Sequence, residues 1–236
     1  MRIEEMTRDE FVAAVAKRPV VIVPFGACEA HGPHLPLGTD SYQPEALADD
    51  VAGRLGGLVA PMVRYGQHSS TKKMPGTLGV RMETLKALAI DIMESLIANK
   101  LDKIVLVSGH AGTIHLAALK SACEEIVERH EVSLMMLTDY DIAFQLIPEY
   151  CGEEPDGHGG TIETARVMAI RPDLVKRRRG KGVCTSSNYM VVCHPEDHYP
   201  DGFMGDAKKA TKESGERMNQ HIADELTKLI RNNFEV

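Results

Sequence analysis

Two short runs stand out because they are apolar at every position rather than at alternate ones. Val20 to Phe25 reads VVIVPF and Ile104 to Val107 reads IVLV, both rich in β-branched residues. That is the pattern of strands covered on both faces, as in the middle of a parallel sheet. Weaker runs of the same kind are Val59-Ala60-Pro61-Met62-Val63 and Ser133-Leu134-Met135-Met136-Leu137. Between them the spacing turns helical: Ser41 to Leu55, Arg81 to Lys100 with Leu85, Leu88, Ala89, Ile92, Leu96 and Ile97 as its apolar positions, and His115 to Arg129. Further helices are predicted over Thr161 to Ala169 and Asp206 to Asn232. Strand and helix alternate, which predicts a layered α/β fold around a parallel sheet. No repeat, low-complexity stretch or long linker interrupts it, so one domain over residues 1–236 is expected.

Composition narrows the class. The chain has 236 residues, 43% hydrophobic and 26% charged, as expected of a globular protein with a sizeable core. A net charge of −7 gives no general attraction to phosphate backbones. The one dense basic run, Lys176-Arg177-Arg178-Arg179 with Lys181, lacks interleaved aromatics and reads as a solvated loop, so no nucleic-acid partner is expected. Cys28, Cys123, Cys151, Cys184 and Cys193 form no CxxC pair and follow no signal peptide. No apolar run approaches the roughly 20 residues that span a bilayer. A cytoplasmic protein without disulfides or a membrane partner is expected.

In parallel α/β sheets ligands bind where strands end at their carboxyl edge. Both strong strands run into glycine-containing turns, Gly26-Ala27-Cys28-Glu29 and Ser108-Gly109-His110-Ala111-Gly112. Glu29, His31, His34 and Asp40 then fall within twelve residues bounded by Gly26, Gly32, Pro33, Pro36 and Gly38, a composition that holds a loop in one path. Carboxylates and imidazoles on a rigid frame are what a hydrolytic metal site needs. The plainer reading makes Asp40 the N-cap of the helix at Ser41, with Glu29 in solvent and the histidines in a loop. His110 tips the balance, because it follows a second buried strand among small neighbours and can supply a third ligand. A third cluster runs from Asp156 to Thr164. It sets His158 among glycines and Glu163 in a first helical turn, and it reads equally well as a helix start capped by Thr161.

Several residues are weaker candidates. His34 lies between Gly32-Pro33 and Leu35-Pro36, suits a structural role as well as any other, and is left outside the ligand set. Cys28 beside Glu29 could be a thiolate ligand, but a small buried residue fits better. His194 and His198 have zinc-like spacing, yet Pro195 and Pro200 favour a loop at a pocket rim or subunit contact.

The segments Pro24 to Asp40 (PFGACEAHGPHLPLGTD), Met74 to Thr77 (MPGT), Ser108 to Thr113 (SGHAGT) and Asp156 to Val175 (DGHGGTIETARVMAIRPDLV) resemble the creatininase (creatinine amidohydrolase) family in content and order. The resemblance implies a three-layer α/β/α domain, often hexameric. It also implies two divalent ions, usually zinc or manganese with iron as a further option, that activate water against a C–N bond of a small molecule. It makes Glu29 and His110 ligands of one ion, His31 a ligand of the other and Asp40 the bridge, with His158 carrying a proton to the leaving nitrogen. It also sets His68 and Ser69 near the substrate. Creatininases proper carry a metal-binding glutamate two residues after the histidine, where this chain has Gly112; Glu163 is the candidate for that vacant role. The chain has no tryptophan, whereas creatininases enclose their flat substrate with tryptophans, so creatinine is not the expected substrate. An amide-type bond is expected instead. The alternatives are a formamide of a pyrimidine-type intermediate, a C–C bond of a cyclic polyol diketone, or a binding and assembly protein that keeps metals for structure alone.

Overall fold

The structure, a computed structural model, describes residues 1–185 and 190–235. In chain order its elements are α1 (Arg8–Val15), β1 (Val21–Phe25), α2 (Thr39–Leu55), β2 (Leu58–Val59), α3 (Met82–Ala98), β3 (Lys103–Ser108), α4 (Thr113–Arg129) and β4 (Ser133–Thr138). There follow α5 (Tyr140–Ala143), α6 (Ile147–Tyr150), α7 (Thr161–Ile170), β5 (Lys181–Gly182), β6 (Gly205–Asp206) and α8 (Lys212–Phe234). Four strands form a parallel sheet in the order β2-β1-β3-β4, so the α/β reading of the apolar runs holds.

The all-apolar runs are explained by a core on each face. Val20 and Ile22 of the first run join Val105 and Val107 of β3 against α2, α7 and α8. Their neighbours Val21, Val23 and Phe25 join Ile104 and Leu106 against α3 and α4. Alternation still operates, but both faces are covered by helices, giving the three layers. Each such side chain taken out of water contributes about 1.5–3 kcal/mol, so the two central strands are held where the site requires them. The chain passes from β1 through α2 to β2 on one side, then through α3 to β3 on the other. The strand order therefore reverses between β1 and β3, and that crevice is where ligands bind in such sheets.

Two expectations need correcting, and one helix was not expected. The run at 59–63 is a strand only at Leu58–Val59. Ala60 and Val63 still donate to Ile22 and Pro24 of the β1 run, but Pro61 has no N–H and interrupts the ladder. The last helix begins at Lys212 rather than Asp206, because the Thr211 side chain accepts from the Ser214 amide and fixes the start there; Gly205–Asp206 instead pairs with Lys181–Gly182. Helix α1 was missed because it is mostly exposed, although Thr7 and Glu10 form a capping box that marks its start.

Candidate metal centre

Phe25 and Ser108 pair at the ends of β1 and β3, and Gly109 donates to the Phe25 carbonyl at 2.8 Å, so the two turns leave the sheet side by side. A Cβ on Gly26 or Gly109 would lie 2.6 or 2.3 Å from the backbone oxygen of Asp40. The absence of side chains there lets the first turn of α2 drop between the strand ends. Asp40 is therefore not the helix cap; Gly38 holds that position, and Asp40, 2% exposed, is the second residue of the first turn with its carboxylate turned to the crevice.

Two histidines reach that carboxylate from opposite sides, each with one ring nitrogen committed to a carbonyl. His31 Nδ1 lies 3.1 Å from the Glu29 carbonyl and His110 Nε2 lies 3.0 Å from the Gln67 carbonyl. A carbonyl only accepts, so those nitrogens carry the protons, and the opposite nitrogens are free. His31 Nε2 is 2.8 Å from Asp40 Oδ1 and 3.3 Å from Glu163 Oε2. His110 Nδ1 is 2.8 Å from both Asp40 Oδ2 and Glu29 Oε1. Asp40 thus offers one oxygen to each histidine.

The third loop closes the cluster. Asp156 accepts from the Thr161 and Ile162 amides at 2.6 and 3.0 Å, so it, not Thr161, satisfies the start of α7. Glu163 keeps a helix-start contact with the Gly159 amide at 2.8 Å while also facing His31. The two readings of Glu163 are compatible, and it stands on the His31 side rather than beside His110. His158 Nε2 donates to the Ala30 carbonyl at 2.7 Å, its ring lies 4.1 Å from that of His31, and its Nδ1 is 3.9 Å from Glu29 Oε1. Its side chain is 19% exposed, against 2% for Glu29.

Three buried carboxylates in one crevice demand compensating positive charge. Burial opposes charge on His31 and His110, yet Asp40 and Glu163 hold the first, and Glu29 and Asp40 the second, well above the usual histidine range. Burial likewise opposes ionised Glu29, and His110 and His158 keep it well below the carboxylate range. Even so, among the described residues Glu29 Oε1 and His31 Nε2 make no well-formed hydrogen bond beyond these ion-pair contacts. Orphaned oxygen and nitrogen atoms converging on both sides of Asp40 are a donor set that divalent cations fit. His31, Asp40 and Glu163 form one such group, and Glu29, His68 and His110 another.

A cavity of about 240 Å³ opens above the cluster, lined by Ser69, Ser70 and Thr71 on one side and by Tyr140, Phe144 and Tyr199 on others. Ser69 lines this wall, whereas His68 is not among its lining residues and is buried next to Glu29, 5% exposed. Sequence reasoning missed Thr71, whose hydroxyl donates to Glu29 Oε2, and Tyr199, whose phenol burial pushes upward. It also missed the buried Asp139–Arg166 ion pair behind α7. A single hydroxyl or phenol in a loop carries no sequence signal, but Arg166, one turn after Glu163, is the lone cation in the predicted helix. His34 is fully buried and contacts the Gly159 carbonyl and Thr164 hydroxyl at 3.1 and 3.0 Å, outside the cluster. Cys28 is half-buried, with its thiol toward the Gly76 carbonyl. His194 and His198 lie at the ends of a single exposed 3-10 turn.

The family profile described as creatininase, creatinine amidohydrolase, matches residues 4–230. The creatinine amidohydrolase of Pseudomonas putida is 29% identical over 98% of this chain and 96% of its own length. The mycofactocin precursor peptide peptidase of Mycolicibacterium smegmatis is 31% identical over 85% of this chain and 79% of its own. A crystal structure of creatininase superposes with a TM-score of 0.89 at 28% identity, covering 99% of this chain and 97% of that one; a zinc–zinc type of a mutant creatininase and a manganese creatininase superpose at 0.88.

Proposed function

The chain belongs to the creatininase family of hydrolases, and from that premise we propose that it cleaves an amide-type C–N bond of a small polar molecule with the help of two divalent ions, zinc or manganese. The observation that carries this reading is the pairing around Asp40. His31 and His110 each have one nitrogen committed to a carbonyl and the other aimed at carboxylates, beside a cavity of about 240 Å³. The names of the Pseudomonas putida and Mycolicibacterium smegmatis relatives, an amidohydrolase and a peptidase, support C–N cleavage.

When bound, such ions polarise a carbonyl and make water acidic enough to attack near neutral pH. Glu29 and His110 would hold one, His31 and Glu163 the other, with Asp40 placed to serve both. His158 handles the proton. With Nε2–H committed to Ala30, its Nδ1 is the acceptor facing the crevice; it takes the proton of the attacking water and returns it to the leaving nitrogen. Tyr140, Phe144 and Tyr199 provide aromatic walls where tryptophan is absent. The enzyme is further read as a single-domain, cytoplasmic homo-oligomer, a hexamer by family resemblance, for which exposed Tyr65 and Leu78 supply apolar surface. No helix among the described residues is long and apolar enough to cross a membrane.

The test is a panel of small amides, lactams and formamides offered to zinc- and manganese-loaded protein, with amine release as the readout. Hydrolysis that falls about 10²-fold or more in His158→Gln at unchanged metal content is expected. Turnover that survives complete metal removal would defeat the proposal.

A further inference from the structure

His68 is buried beside Glu29 and His110; among the described residues its Nε2 has no hydrogen-bond partner, and its Nδ1 has only a long 3.3 Å contact with Glu29 Oε2 that falls short of a well-formed hydrogen bond. A buried imidazole so poorly satisfied is costly unless something else occupies it. We infer that His68 is a further nitrogen donor to the cation held by Glu29, Asp40 and His110, an inference that rests on the two-ion reading of the site.

The backbone delivers His68 there by design of its neighbours. Gln67 accepts from His110 Nε2 at 3.0 Å through its carbonyl and donates its own amide to His115 Nδ1 at 3.2 Å. Gly66 is bridged to Gly79, and Val80 donates to Gly66 at 2.9 Å. The strap that selects the tautomer of His110 therefore also sets the position of the next residue, His68. A Cβ on Gly79 would come 2.7 Å from Cδ2 of His68, so the ring occupies space that this glycine leaves open.

Distance agrees with a shared ion. His68 Nδ1 is 3.3 Å from Glu29 Oε2, and two donors each about 2.1 Å from one ion in a tetrahedral arrangement lie roughly 3.4 Å apart. Its ring centroid is 5.1 Å from that of His110. The turn after His110 has no donor to add: a Cβ on Gly112 would sit 2.6 Å from His110 Nε2, and Glu163 faces His31. Holding Glu29 in place does not require His68 either, since Thr71 already donates to the same oxygen, Oε2.

Cobalt(II) loading of the full chain tests this without relying on turnover. Metal content, cobalt affinity and the number of coordinated imidazoles from X-ray absorption are compared for the wild type and His68→Gln. Removal of the imidazole is expected to weaken one of two bound ions at least tenfold and to lower the imidazole count by one. His68→Gly with added free imidazole, checked for folding by circular dichroism, should recover both and serves if the glutamine variant fails to fold. Unchanged affinity and spectrum in a folded variant overturn the inference. So does weaker binding with an unchanged imidazole count, which marks a residue acting through Glu29. A wild type that binds no cobalt overturns the two-ion reading itself, and the inference with it.

Discussion

His31 and His34 lie three residues apart and are equally buried, yet they belong to electrostatically opposite regions. The same contrast separates His110 from His115, five residues on. In the crevice, His31 and His110 spend one nitrogen on a carbonyl and turn the other to carboxylates. In the scaffold behind it, His34 meets a carbonyl and a threonine hydroxyl, while His115 accepts from the Gln67 amide and lies 3.2 Å from the Ser108 hydroxyl. Burial depresses both scaffold histidines, to about 4 for His34 and about 2 for His115, so they stay neutral struts between loops. Burial alone does not separate the candidate ligands from the struts; the charge opposite the second nitrogen does.

The comparison breaks most completely at Asp40, the one carboxylate both crevice histidines share. Asp40→Asn should weaken both ions, by more than the about 10–100-fold typical of losing a supporting partner, and abolish hydrolysis. Metal analysis of the purified variant checks this, and two retained ions would contradict the bridging role.

A second test sharpens the electrostatic contrast. With ions removed by chelation, His31 and His110 have raised pKa values and are protonated at pH 7. Their contribution to the stability of the ion-free protein is complete below the ordinary histidine pKa and is lost as pH rises through the raised values. Rebinding two ions should then release about two protons at pH 7, read from calorimetry in buffers of different ionisation enthalpy. Ion binding without proton release would show that the histidines are neutral beforehand.

The smallest effect belongs to the scaffold. His34→Ala should retain both ions while costing about 1–3 kcal/mol from the partners left unsatisfied. His34 is neutral in the native state, with its pKa lowered from 6.5 to about 4. The unfolded chain therefore binds the extra proton first, and stability present above pH 6.5 falls as pH drops towards 4, by roughly 3 kcal/mol in all. That acid loss should shrink in the variant, as followed by denaturant midpoints between pH 4 and 7. Loss of metal in His34→Ala would move the residue from the scaffold into the site.

Much of this was legible beforehand. The β1 and β3 runs, the helices after them and the glycine turns carrying Glu29 and His110 all follow from local pattern, because a doubly covered strand has to be apolar throughout. Asp40 was harder: its position before Ser41-Tyr42-Gln43 suits a cap, and only the packing of Gly26 and Gly109 against its backbone shows why it sits deeper. His68 looked like a polar loop residue near a substrate because nothing in its neighbours reveals that Gly66 and Gly79 strap the loop inward.

By itself, then, the sequence determined the layered α/β class, the edge of the sheet where chemistry gathers and the residue types available there, since these depend on hydrophobic period and turn composition along the chain. Tertiary structure alone decided which nitrogen of each histidine is free, that Asp40 is shared, that Glu163 joins His31 and that His68 joins Glu29. Those pairings link residues up to 132 positions apart, as for His31 and Glu163 (163 − 31). They are set by how closely helices and loops approach the ends of β1 and β3, and no local pattern encodes that distance.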